Sequence, residues 1–221
     1  MIRITGLVLA VFAIVTAWMV ASAPVDSVQG VVQKILYVHV PCAFSAYLGF
    51  LVTGIGGGLY LAKGEERFDR LAIAGAEVGV LFCTLNIVTG PIWGKATWGH
   101  WWVWDPRLTV TLLLWFIYLA YLLLRSFTEG SERTARFAAV YGLVGLLAIP
   151  LNYYAIELAD GAALHPENLE RDSLGAGMRL PFLMSVLTGI AAFFHLLVLR
   201  FDLEKRRAGI EPPLAAPGAA N

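Results

Sequence analysis

Five of the seven tryptophans fall between positions 93 and 104, in the run Trp93-Gly94-Lys95-Ala96-Thr97-Trp98-Gly99-His100-Trp101-Trp102-Val103-Trp104, which closes on Asp105-Pro106-Arg107. Indole rings favour the lipid headgroup level, but an aromatic belt spreads its rings over several helix ends. Concentration in one segment, interleaved with Gly94 and Gly99, fits an exposed platform for a large, flat, apolar ligand. Indole faces offer stacking area with little side-chain entropy to lose, and glycine lets the backbone come close. Asp105 is suited to order the segment by accepting main-chain or indole hydrogens. Arg107 is suited to pair with a ligand carboxylate. Histidine is the other residue type with coordination chemistry, and there are four: His39, His100, His165 and His195.

The elements that must position these residues are apolar. The chain has 221 residues, of which 58% are hydrophobic and 14% charged, and its mean hydropathy is +0.71. A soluble domain is nearer half apolar and a quarter charged. About 20 residues of helix cross a hydrocarbon core, and six segments qualify: Ile4–Ala23, Ala43–Ala62, Leu71–Trp93, Leu108–Leu124, Phe137–Ile156 and Leu180–Leu199. Backbone groups in lipid must be satisfied internally. The expected fold is therefore an all-α integral membrane protein, a six-transmembrane-helix bundle whose outer-face loops form the site. Residues 1–209 make one domain, and the Pro/Ala-rich stretch 210–221 reads as a disordered tail. The first apolar run ends Ala21-Ser22-Ala23 like a signal cleavage site, yet it is longer than a usual signal core, and Pro24 follows directly. It is read as a retained helix.

Orientation follows from the cations. With the N-terminus inside, eleven Lys and Arg residues lie on the cytoplasmic side (Arg3, Lys63, Arg67, Arg70, Arg125, Arg133, Arg136, Arg200, Lys205, Arg206, Arg207). Five lie outside: Lys34, Lys95, Arg107, Arg171 and Arg179. Both termini are then cytoplasmic. The outer segments, Pro24–Cys42, Gly94–Arg107 and Glu157–Arg179, carry the tryptophans together with His39 and His165. The net charge is zero, which argues against nucleic acid as a partner.

The stretch Trp98-Gly99-His100-Trp101-Trp102-Val103-Trp104-Asp105-Pro106-Arg107-Leu108-Thr109 resembles the WWD signature of the haem-handling proteins of cytochrome c biogenesis. With six spans, this length and Tyr37-Val38-His39-Val40-Pro41 before the second span, the chain resembles the cytochrome c maturation protein C family over nearly its whole length. That resemblance implies haem b, bound transiently, with His39 and His165 as axial ligands of the iron. It implies that Trp93, Trp98, Gly99, Trp101, Trp102 and Trp104 form the haem surface, shaped by Asp105. It also implies delivery to a periplasmic haem chaperone (maturation protein E) and partnership with ABC transporter subunits (maturation proteins A and B). A small single-span protein D completes the expected complex, in the bacterial inner membrane. Lys34 and Arg107 are the candidates for the propionates, with Arg171 and Arg179 as alternatives.

No G-x-x-x-x-G-K-[ST] occurs, so ATP use falls to a partner. The chain is expected to deliver haem rather than catalyse, with any attachment of haem to the chaperone templated by proximity. The other readings are a b-type electron-transfer cytochrome, which would pair histidines inside the spans, and a synthetase-type relative that attaches haem directly to apocytochrome. Away from the site, His100 is expected to be a loop residue and His195 a helix–helix hydrogen-bonding group. Glu77 is expected to be an interhelical partner inside the bundle. Gly54 and Gly58 form a packing GxxxG, and Pro150 is expected to kink the fifth span. Cys42 and Cys83 read as buried apolar residues. Asn152, Tyr153 and Tyr154 are placed to line a ligand chamber.

Overall fold

A computed structural model of the chain describes residues 2–127, 131–159, 165 and 174–210. Among these residues the protein is helical throughout, without a strand. The helices are α1 (Ile2–Ser22), α2 (Leu36–Lys63), α3 (Glu66–Trp98), α4 (Pro106–Phe127), α5 (Glu132–Gly145), α6 (Ala148–Tyr153), α7 (Ala155–Leu158) and α8 (Arg179–Ile210). A 3-10 turn, Val31–Ile35, leads directly into α2. Six helical segments are long and apolar enough to span a bilayer, with the turn and α2 counting as one and α5–α6 as another. The chain is a multi-pass helical membrane protein. Residues 211–221, most of the expected tail, lie outside the described residues, and Ile210 is the last residue of α8.

Two helices run further than hydropathy alone indicates. At 33 residues, α3 is about 50 Å long against a hydrocarbon core of about 30 Å. Nothing breaks it before Gly99, which takes a left-handed φ of 77° as its C-cap. The helix therefore continues past Trp93, the expected end of the span, and carries Trp98, so the expected loop shortens to Gly99–Asp105. Likewise, α2 starts at Leu36, so His39 sits in its first turn and not in a loop before it. Pro41 is tolerated there because it forfeits only the hydrogen bond to the Tyr37 carbonyl. The fifth span breaks at Leu146–Leu147, where i→i+3 bonds replace the α pattern. Pro150 lies in the first turn of α6, so the interruption falls just ahead of the proline.

The bundle is organised around α2 and α3. A Cβ added to Gly49 would lie 2.4 Å from the Gly79 Cα, and one added to Gly56 would lie 2.9 Å from the Ala72 nitrogen. These backbones touch, as small residues permit where lipid offers no hydrophobic drive for association. The GxxxG at Gly54 and Gly58 packs inside the chain: a Cβ at Gly54 would meet Leu146, just after α5, at 2.3 Å. At the core, Phe50 stacks on Tyr118 with centroids 3.9 Å apart, and the Tyr118 hydroxyl donates to the Gly142 carbonyl at 3.2 Å.

At the end opposite the tryptophans, ion pairs tie the helices. Arg125 on α4 holds Asp69 on α3 at 2.6 Å. Arg200 on α8 bridges Glu77 on α3 and Glu204 one turn along its own helix. Glu77 is thus an interhelical partner, as its depth suggested, because a lone buried carboxylate costs several kcal/mol. Helix α1 has no buried residue and is fastened to α8 by polar contacts. The Thr16 and Thr188 hydroxyls meet at 2.6 Å, and Thr5 meets His195 Nδ1 at 2.9 Å, the helix–helix contact expected of that histidine. Both cysteines are buried and free.

If α2–α3 contact sets the frame, Gly49→Ala forces two backbones apart and costs on the order of 3 kcal/mol. Gly58→Ala, whose Cβ would meet only a Leu143 methyl at 3.6 Å, changes little. Thermal unfolding in detergent should show a marked drop for the first variant alone, and equal midpoints would contradict this packing.

Candidate functional site

The end of the bundle that carries the tryptophans is built on short, hydrogen-bonded turns. After α1, the Asp26 carboxylate accepts the main-chain N–H groups of Gln29 at 2.7 Å and Val28 at 2.9 Å. These two bonds, Gln29 first, hold the Asp26 carboxyl below the usual carboxylate range. The turn ends at Gly30 with φ 61° and presents Gln29, whose side-chain oxygen accepts the Trp93 indole N–H at 2.7 Å. Lys34 extends back to α1 and donates to the carbonyls of Val20 and Ala21 at 2.8 and 3.0 Å. It caps the C-terminus of α1, where carbonyls lack helical partners, and does not line the cavity described below.

His39 projects from α2 against α3. The Thr89 hydroxyl already donates to the Leu85 carbonyl at 2.8 Å, so in its 2.9 Å contact with His39 Nδ1 the imidazole is the donor. The tautomer assigned by that network has a proton on Nδ1 and a lone pair on Nε2. Asn86, one turn before Thr89, donates its amide to the His39 main-chain oxygen at 3.0 Å. Trp93 meets the imidazole edge-on, with centroids 5.7 Å apart. The Asn86 amide also stands 3.3 Å from Nε2, so Thr89 and Asn86 together fix the orientation of the ring, as outer neighbours fix a metal-binding histidine.

Asp105 joins the tryptophan segment to the chain that follows α7. It is 4% exposed and caps α4: its main-chain oxygen accepts from Thr109 at 2.9 Å, and Oδ1 accepts the Arg107 N–H at 2.9 Å. Pro106 takes the first helical position, where no N–H is needed. The second oxygen, Oδ2, accepts the main-chain N–H of His165 at 3.1 Å. One carboxylate thus sets both the start of α4 and the position of His165. The His165 ring lies edge-on to Trp98, with centroids 6.4 Å apart.

His39 and His165 line one cavity of about 340 Å³, within the range of ligand sites. Trp93, Trp98 and Trp102 form aromatic walls, and Arg107 contributes a guanidinium. The Trp102 indole N–H is buried and has no hydrogen-bond partner among the described residues. The base is a polar network: Tyr47 donates to Asn152 Oδ1, and Asn152 donates to Thr111 Oγ1 at 2.8 Å and to the Arg107 carbonyl at 3.2 Å. Arg107 itself donates to the Tyr153 carbonyl at 2.8 Å. Trp101 and Trp104 are 61% and 76% exposed and lie outside the lining, as do His100, Tyr154 and Arg179. Gly99 serves as the α3 cap, and Arg171 lies outside the described residues. Gln29, Asn86, Thr89 and Thr111 were not anticipated. Asn86 and Thr89, three residues apart in an apolar span, carried a readable signal, since polar groups at that depth face the bundle interior.

Among the described residues no group of three His, Cys, Asp or Glu could enclose a bare metal ion. Two imidazoles beside aromatic walls suit instead a metal that brings its own equatorial ligands in a flat ring.

Comparison with known proteins identifies a family. Residues 1–211 match the family described as heme exporter protein C. The chain is similar to the heme exporter protein C of Haemophilus influenzae, 31% identical over 96% of this chain and 90% of the relative. It is also similar to that of Paracoccus denitrificans, 34% identical over 89% and 83%. The Escherichia coli K12 protein is 31% identical over 86% and 79%.

Removal of the carboxylate in Asp105→Ala should release two segments together. Hydrogen exchange is expected to accelerate at the Arg107 and His165 amides while α2 and α3 keep their protection, with about 1 kcal/mol lost from the α4 cap. Undisturbed exchange at His165 would show that something else holds it.

Proposed function

The chain belongs to the haem exporter protein C family, and from that premise we propose that it displays haem in the cavity at its tryptophan end and hands it to a periplasmic haem chaperone. The haem is cargo, a b-type group held transiently. His39 and His165 are its axial ligands, Trp93, Trp98 and Trp102 face the ring, and Arg107 meets a propionate. The observation that carries this reading is that His39 and His165 line one cavity with Trp93, Trp98 and Trp102.

The remaining groups take supporting roles. Asp105 sets the height of His165, and Gly99 turns the chain out of α3. The Trp102 indole N–H is a donor available to an acceptor on the cargo. Trp101 and Trp104, exposed and apolar, present a face for the chaperone, maturation protein E. Lys34 would have to release the α1 carbonyls before it could reach a propionate, which leaves Arg107 the better placed cation. The aromatic walls exclude water from the iron's surroundings, and the imidazoles hold the iron until a competing ligand arrives.

In this reading the protein sits in a bacterial inner membrane with both termini cytoplasmic, and the tryptophan end faces the periplasm. Maturation proteins A, B and D complete the assembly. Nucleotide hydrolysis belongs to the ABC pair, since this chain has no phosphate-binding loop.

The visible spectrum of the haem-loaded protein tests the ligands. Wild type should show a low-spin, bis-histidine spectrum at less than one haem per chain after purification. His39→Ala and His165→Ala should each convert it to a high-spin form that binds haem at least about tenfold more weakly. Thr89→Val should weaken binding less while retaining the low-spin bands. Unchanged spectra in both histidine variants would sink the assignment.

A further inference from the structure

A second hollow, of about 380 Å³ and almost wholly apolar, lies against the first. It is bounded by Leu48 and Leu51 of α2, Ile149 of α6, and Val186 and Ile190 of α8. Two further side chains, Phe44 and Tyr47, line both this groove and the histidine cavity. Phe44 and Leu51 are 41% and 43% exposed on a spanning helix, so the groove opens toward the hydrocarbon of the bilayer.

From this arrangement we propose that haem reaches the histidine cavity sideways from the membrane, through the groove between α6 and α8, past a gate formed by Phe44 and Tyr47. The inference rests on the haem-display reading and adds the path and its control. A porphyrin is flat and apolar over most of its surface, and partitioning into hydrocarbon concentrates it beside such an opening. Among the described residues, those that line the groove are apolar apart from Tyr47. The passage is closed by Tyr47, whose hydroxyl is latched to Asn152 on the side of the cavity. Asn152 is anchored in turn to Thr111 and Arg107. Swinging the Tyr47 ring aside breaks one hydrogen bond and joins the two hollows. The same network includes the main-chain carbonyl of Arg107, so the residue whose guanidinium meets the propionate also anchors the latch.

The test follows the growth of the low-spin absorption band after haemin is added to full-length protein in phosphatidylcholine–phosphatidylglycerol nanodiscs. Leu51→Trp and Ile190→Trp fill the groove without touching the histidine cavity. Each should slow uptake about tenfold and reach the wild-type spectrum at saturation, which also shows that it has folded. Tyr47→Phe keeps the ring but removes the latch and should speed uptake. Equal rates across wild type and all three variants would overturn the proposal. So would phospholipid that co-purifies with wild type but not with the tryptophan variants, if uptake rates are equal. If a filled variant loses its spectrum, the Tyr47→Phe rate decides, and no acceleration there overturns the gate. A wild type with no low-spin band at all would instead overturn the haem-display reading, and this inference with it.

Discussion

Asp105 places one buried carboxylate where two unrelated stretches of main chain need an acceptor. Its Oδ1 takes the Arg107 N–H that opens α4, and its Oδ2 takes the N–H of His165, sixty residues later in the chain. Non-helical backbone at the end of a membrane bundle is costly unless its polar groups are satisfied. A carboxylate with two oxygens at fixed geometry meets that demand for both segments together. Because the second segment bears a histidine, the bond that closes the loop also registers His165 against Trp98. The site is then a consequence of how the chain ends are capped, and Gly99, Asp26 and Lys34 contribute to the same end by similar means.

The deeper frame is the close approach of α2 and α3. The glycine contacts at Gly49 and Gly79 bring these helices near enough for Asn86 and Thr89 to reach His39 across the interface. Thr89 then decides which imidazole nitrogen carries the proton. Packing with small residues, orientation of a ligand and choice of tautomer form one chain of cause. Ion pairs at the far end, between Asp69 and Arg125 and between Glu77 and Arg200, keep the same helices aligned without approaching the cavity.

Much of this was readable from residue types. The six spans follow from apolar runs of membrane length. The WWD segment identifies itself by tryptophan density and by the Asp-Pro pair, whose capping role is visible in the structure. Glu77 and His195 were legible as bundle contacts because charge and imidazole in a span must be paired. Element boundaries were not, since hydropathy reports where lipid ends and not where a helix ends. That is why His39 and Trp98 lie on helices. The GxxxG spacing at Gly54 and Gly58 drew attention from Gly49 and Gly79, whose pairing depends on register between two helices. The alliance of Tyr47, Thr111 and Asn152 likewise joins three separate helices, and no local pattern announces it.

In the proposed function, two histidines from different segments hold one iron at the tryptophan end. Pulsed electron paramagnetic resonance on ferric-haem-loaded protein, grown with ¹⁵N-histidine, observes that coordination directly. Two strongly coupled axial histidine nitrogens in wild type, reduced to one in His165→Ala, is the predicted result. Coupling to a single histidine or to none in wild type would contradict it.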